Sequence, residues 1–288
     1  MSPGKLTVRA GVAALFTIIW AVVLMLAPPK YPFPHRFNHD IDAPVLAMEL
    51  SRGPDDLDRI LRPGATPQAE VGECYLGAEV HDKTAQVCEA QARQFEYVSN
   101  ELDLVFIPLY AFSLWTLARI FANRVALITL LITGTVLCDY LEDWQIFRAL
   151  KGESSASYVP SLIKWALFGL VLIGTGIILL RSKNLVYSLP TKRLLSIAYF
   201  ASGLLYVVSV AFGAWIGYSL IDLATGVFGF LLVVHVIGFL GPYLAVPEIK
   251  LTFVDNFCEV RKTAGRESLI AVKAEPSDGS SAEIPANR

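Results

Sequence analysis

The chain has 288 residues, 54% of them hydrophobic and 17% charged, with 24 Lys and Arg against 26 Asp and Glu. Its mean hydropathy is +0.51. That composition excludes an ordinary soluble domain and indicates a polytopic membrane protein, while the near-neutral charge gives no basic face for nucleic acid. The four cysteines, Cys74, Cys88, Cys138 and Cys258, form no CxxC, which excludes zinc-ribbon and thioredoxin-type motifs.

Residues 1–27 open with Lys5 and Arg9 and continue as an apolar run from Ala10 to Ala27. The run is long for a signal-peptide core, and Pro28 directly after it suits a cleavage site poorly. The segment therefore reads as a basic tail and an uncleaved first transmembrane helix. Residues 28–100 are too polar to span. Pro28, Pro29, Pro32 and Pro34 exclude helix at their start, whereas 45–50 and 54–61 predict short helices. The second opens on Pro54 and carries Asp55 and Asp56 in its first turn, where acids suit the helix dipole. An amphipathic stretch over 85–98 leads toward the next span. His35 and His39, with Asp40 and Asp42, read as solvated loop residues, since spacing fixes no third strong metal ligand. Cys74 and Cys88 share this segment and are expected to form a disulfide if it lies outside the cytosol; otherwise they are free thiols.

Residues 101–181 predict three spans, at 102–121, 125–147 and 161–180, and residues 182–241 two more, at 194–215 and 216–240. Residues 242–288 form a polar tail whose end, rich in Ser, Pro, Glu and Ala, has a disordered composition. The expected fold is all-α: a helix bundle of six transmembrane helices, with a long extracytoplasmic loop between the first two. Lys and Arg concentrate at the N-terminus, at Arg119 and Arg124, between Arg181 and Arg193, and after Leu240. This places both termini in the cytosol.

Helical spacing puts Asp139, Glu142 and Asp143 on one face at i, i+3 and i+4. In a helix starting at Val125, Asp139 lies about 21 Å along the axis, in the outer third of a hydrocarbon core about 30 Å thick. Asp103, with Tyr110 seven residues on, Lys164 and Asp222 fall at similar depth on neighbouring spans. Lone charges there are expensive, so Lys164 is expected to pair with Asp139 or Glu142. Tyr110, Tyr140, Tyr158 and Tyr218 offer hydroxyls nearby. His235, deeper in the opposite half, reads as a packed histidine rather than a ligand.

Several of these residues fall in short motifs: Glu49-Leu50, Asp103-x-x-Phe106 with Tyr110, Asp139-x-x-Glu142, and Ser161-Leu-Ile-Lys164-Trp165. The series resembles a recurrent set of bacterial multi-pass proteins of no established activity, which carry D-x-x-F…Y, then D-x-x-E-N, then K-W at the start of a helix. The resemblance covers residues 46–180 and implies a four-helix core to which the fifth and sixth spans are added. This chain departs from the pattern at Asp143, where the set has Asn.

The chain has no GxSxG, HExxH, P-loop or dinucleotide fingerprint. The expected function is a membrane module that binds a ligand, a lipid or a partner through the outer acidic cluster. The alternatives are a carboxylate- or metal-dependent enzyme acting on lipid headgroups and a proton- or cation-coupled transporter. In a purely structural alternative, the charges meet headgroup water and fix helix register. Beyond the lipid bilayer and a possible lipid or cation ligand, the sequence specifies no protein partner, cofactor or metal.

Overall fold

A computed structural model describes residues 3–30, 44–61, 82–122, 125–153, 156–182, 187–216 and 218–244. The described elements are all helical: α1 (Pro3–Leu26), α2 (Pro44–Glu49), α3 (Pro54–Leu61), α4 (Asp82–Phe121), α5 (Ala126–Leu150), α6 (Tyr158–Arg181), α7 (Leu189–Ile216) and α8 (Ser219–Leu244). Five of them contain stretches long and apolar enough to cross a membrane: Leu6–Leu26, Val87–Phe121, Tyr158–Arg181, Leu189–Gly213 and Leu220–Gly241. The chain divides into Met1–Leu240 and Gly241–Arg288, and of the second unit only the end of α8 is described. The loop histidines His35 and His39, the aspartates Asp40 and Asp42, Cys74 and the polar tail lie outside the described residues. So, therefore, does the expected Cys74–Cys88 bridge; Cys88 itself is fully buried.

α5 is the remaining long helix, and its three acids lie close together within the stretch that would have to cross. Those acids all turn inward: Asp139, Glu142 and Asp143 are buried. Its outer surface is apolar, with Leu127, Leu130 and Leu137 64 to 68% exposed, and Leu141 and Trp144 exposed further along. A helix with acids on one face and a continuous leucine stripe on the other is suited to stand with protein on one side and lipid on the other.

Neighbouring long helices pack antiparallel. α1 lies on α4, where the Thr17 hydroxyl pairs with that of Ser113 (2.7 Å) and Trp20 Nε1 donates to the Leu102 carbonyl (2.9 Å). α5 lies between α4 and α6. The α6–α7 contact is the tightest: a Cβ at Gly203 would stand 2.5 Å from the Gly169 carbonyl oxygen, and one at Gly176 2.9 Å from that of Ser196. Small residues seven apart on each helix thus let two backbones touch, the usual device where lipid gives no hydrophobic drive for association. Gly174 faces α5 instead, against Ile128. α8 is tied to α7 by Ser202 Oγ donating to the Ala224 carbonyl (3.0 Å) and by Tyr206 with Thr225 (2.8 Å).

One boundary differs from the sequence reading. The amphipathic stretch at 85–98 and the span at 102–121 are a single helix of 40 residues, so the division expected at residue 100 falls inside α4. No Gly or Pro occurs between Asp82 and Ile107, so nothing in the backbone stops the helix there. At 1.5 Å per residue α4 is about 60 Å long, twice what a bilayer core requires.

Candidate functional site

The site is built where α2, α4, α5 and α6 meet. Lys164, two turns into α6, points its ammonium into the bundle and contacts three carboxylates: Glu142 Oε1 at 2.7 Å, Asp139 Oδ1 at 3.0 Å and Glu49 Oε1 at 3.2 Å. Glu142 and Asp139 come from one face of α5, three residues apart. Tyr110 of α4 donates its hydroxyl to Asp139 Oδ2 (2.5 Å), and Trp165 Nε1 donates to Glu49 Oε2 (3.1 Å). The lysine Nζ also lies 4.5 Å from the centre of the Trp165 ring. That ring is held by stacking on Tyr206 (5.3 Å, 8° between planes) and by an edge contact with Phe168.

Of the residues expected from sequence, Tyr110, Asp139, Glu142 and Lys164 thus form one connected group. Asp143 is buried beside them, with its backbone carbonyl accepting from Asn100 Nδ2 (3.1 Å). Asp103 is half-buried on α4, within electrostatic range of Asp139 and Asp143. Asp222 is exposed in the first turn of α8, outside the buried group, with Tyr206 in range of its charge. Tyr158 and Tyr218 pair with each other (2.9 Å), Arg52 donates to Tyr158 (3.2 Å), and Tyr140 is exposed. His235 is a packed histidine, with one ring nitrogen on Tyr187 (2.5 Å) and the other on Tyr199 (2.8 Å).

The expected site residues leave out two acids. Glu49 closes the lysine's coordination from the segment before α4, more than a hundred residues away in sequence. Glu96 is buried on α4, within electrostatic range of Glu49. A signal for Glu96 was present: Cys88, Ala92, Glu96, Ser99 and Asn100 form one buried helical stripe, so the acid lies on the inward face of its amphipathic segment.

Lys164, Glu49, Glu96, Asp139, Glu142 and Asp143 are each no more than 7% exposed. Five buried carboxyls therefore accompany one buried ammonium, and full ionisation would leave a net charge of −4. Burial pushes the Glu49 carboxyl above its ordinary range; the Lys164 ammonium opposes that push and the Asp139 carboxylate adds to it. Among the described residues, Glu142 Oε2, Asp143 Oδ2, Glu96 Oε1 and Ser99 Oγ are buried without a hydrogen bond. No group of three His, Cys, Asp or Glu among them is arranged to hold a metal ion.

Fold and site together define a helical protein suited to a membrane, with a buried carboxyl–lysine cluster at one end of its bundle. Compared with family models, with curated proteins and with solved structures, the chain gives no match.

Proposed function

We propose that the chain is a six-span protein of a bacterial inner membrane, with α5 as the sixth span. In this reading it binds a ligand through the acidic cluster near the outer face, and the proton is the ligand that the cluster's chemistry serves first. The observation that carries the reading is the imbalance of five buried carboxyls to one buried ammonium. Like charges held this close in a low dielectric cannot all remain ionised. A protonated carboxyl also turns an acceptor into a donor, which suits a group with several acceptor oxygens lacking donors. The proton would be held among the α5 acids, where Glu142 and Asp143 each keep a buried oxygen without a donor and more carboxyls crowd together than the one Lys164 ammonium can serve. A cation or an amine-bearing lipid headgroup can replace that proton, and a hydroxylated headgroup can accept a hydrogen bond from it. Transport through the bundle is less well supported: in the opposite half both nitrogens of His235 are taken by tyrosine hydroxyls.

Infrared titration of the purified protein tests the reading. A carboxyl C=O band that titrates near neutral pH, and is lost in Asp139→Asn or Glu142→Gln, is the expected result. If every carboxyl of the parent ionises well below neutrality, the cluster is a set of ordinary helix-end charges and the binding reading falls.

A further inference from the structure

Helix α2 is fastened over the cluster by its C-terminal end. The last carbonyls of a helix and the first N–H groups of another are both left without partners in their own helices. Here the two ends serve each other: Ser157 Oγ donates to the Met48 carbonyl (2.7 Å), Ser161 Oγ to that of Glu49 (2.6 Å), and the Tyr158 N–H to that of Ser51 (3.2 Å). The negative end of α2 meets the positive end of α6, so the helix dipoles add to the attraction. Beneath this strap the Glu49 side chain reaches inward, one oxygen on Lys164 and the other on Trp165. Leu46, Ala47, Met48 and Leu50 are buried around it.

This seat is contested. From α6 Glu49 faces the Lys164 cation; from α5 it faces Asp139, Glu142 and Asp143; from α4 it faces Glu96 and, at longer range, Asp103. On α3, Asp56 accepts from the Arg52 backbone N–H. One ammonium holds Glu49 in place while the neighbouring acids repel it once they ionise.

Resting on the proton-binding reading, we propose that Glu49 is the latch of a lid: α2 closes this end of the cluster while the cluster keeps its protons, and lets go as they leave. The direction follows from burial. A carboxyl held above its ordinary range when closed contributes closing stability fully present below its exposed value, and that stability is lost as pH rises through the closed-state value. The lid is therefore shut in acid and loosens toward alkaline pH, admitting ligand to the cluster from the side where α2 lies.

Hydrogen–deuterium exchange of the full chain in lipid nanodiscs tests this, read as protection factors so that the intrinsic pH dependence of exchange cancels. The Tyr158 amide, bonded to the Ser51 carbonyl, reports lid docking, and the Leu50 amide, bonded to that of Leu46, reports whether α2 itself stays helical. Protection of the Tyr158 amide is expected to fall as pH rises from 4, below the ordinary carboxyl range, to 9, by a factor of ten for each unit by which closure raises the carboxyl, while amides within the α6–α7 contact hold theirs. Glu49→Gln keeps the Trp165 bond but cannot ionise, and should be protected equally at both pH values. Trp165→Phe should loosen the lid at every pH and keep the slope. Equal protection in the parent at both pH values, or a Glu49→Gln variant that follows the parent, overturns the latch. The infrared band of Asp139 or Glu142 is read independently of α2, so the proton site can stand where the latch fails.

Discussion

Lys164 is the residue on which the cluster depends. Sequence spacing pairs it with Asp139 or Glu142, and the structure brings it to both and to Glu49 as well. Removing a buried charge strands its partners, which costs more than the pair itself contributes. Lys164→Met is therefore expected to destabilise the protein by roughly 3 kcal/mol or more, in proportion to the acids left without a cation. Adding Glu142→Gln to Lys164→Met should recover part of that loss, since Asp139 and Glu49 stay without their cation, measured by thermal or SDS unfolding in micelles. Simple addition of the two single losses would mean that the groups do not interact. The outcome also separates a site from a scaffold: three carboxylates competing for one ammonium make Glu142→Gln alone nearly neutral, whereas a simple lysine–acid pair would make it as costly as the lysine change.

The α6–α7 contact is a matter of helix surfaces rather than of charge. A methyl at Gly203 would meet the Gly169 carbonyl and the backbone nitrogen of Ile173, neither of which is a flexible side-chain end. Gly203→Ala should force the helices apart and cost about 2 kcal/mol, within the usual range for overpacking. Gly226→Ala on α8 meets nothing within 4 Å and should leave stability unchanged or slightly raised, a control for helix propensity in the same unfolding assay. The long helices were legible because runs such as 161–180 and 216–240 are apolar over a bilayer's length. The continuity of α4 was not legible, because hydropathy marks where a segment leaves lipid and says nothing of whether the helix stops there. Glu49 stood in the motif series, but its partner did not show: its place beside Lys164 is set by the hydroxyls of Ser157 and Ser161 gripping the end of α2, a contact between distant parts of the chain that no local period encodes.

At the scale of the whole molecule, the proposal that α5 spans is a matter of parity. Antiparallel packing between α4 and α6 gives α5 a place in the row, its acids turn inward, and its other face is leucine. Its two ends also carry suitable anchors: Arg148 stacks on exposed Trp144 at one end, and at the other the neighbouring end of α4 carries Arg119 near Trp115. From Ala126 to Trp144 the helix rises about 27 Å, close to the thickness of a hydrocarbon core. With six spans both termini share the cytosolic side, in agreement with the basic residues at Lys5, Arg9, Arg119, Arg181 and Arg193. With five, the termini part, and the basic loop after Arg181 falls on the side opposite to the basic N-terminus. Reporter fusions distinguish the two arrangements. Alkaline phosphatase, active only outside the cytosol, should be active when fused after Gly152, between α5 and α6, and inactive after Arg124 and after Ser182. A fluorescent protein that folds only in the cytosol should give the reverse pattern. Equal phosphatase activity after Arg124 and after Gly152 would place both ends of α5 on one side, and the acidic cluster would then have to be read as part of a surface helix rather than of a membrane interior.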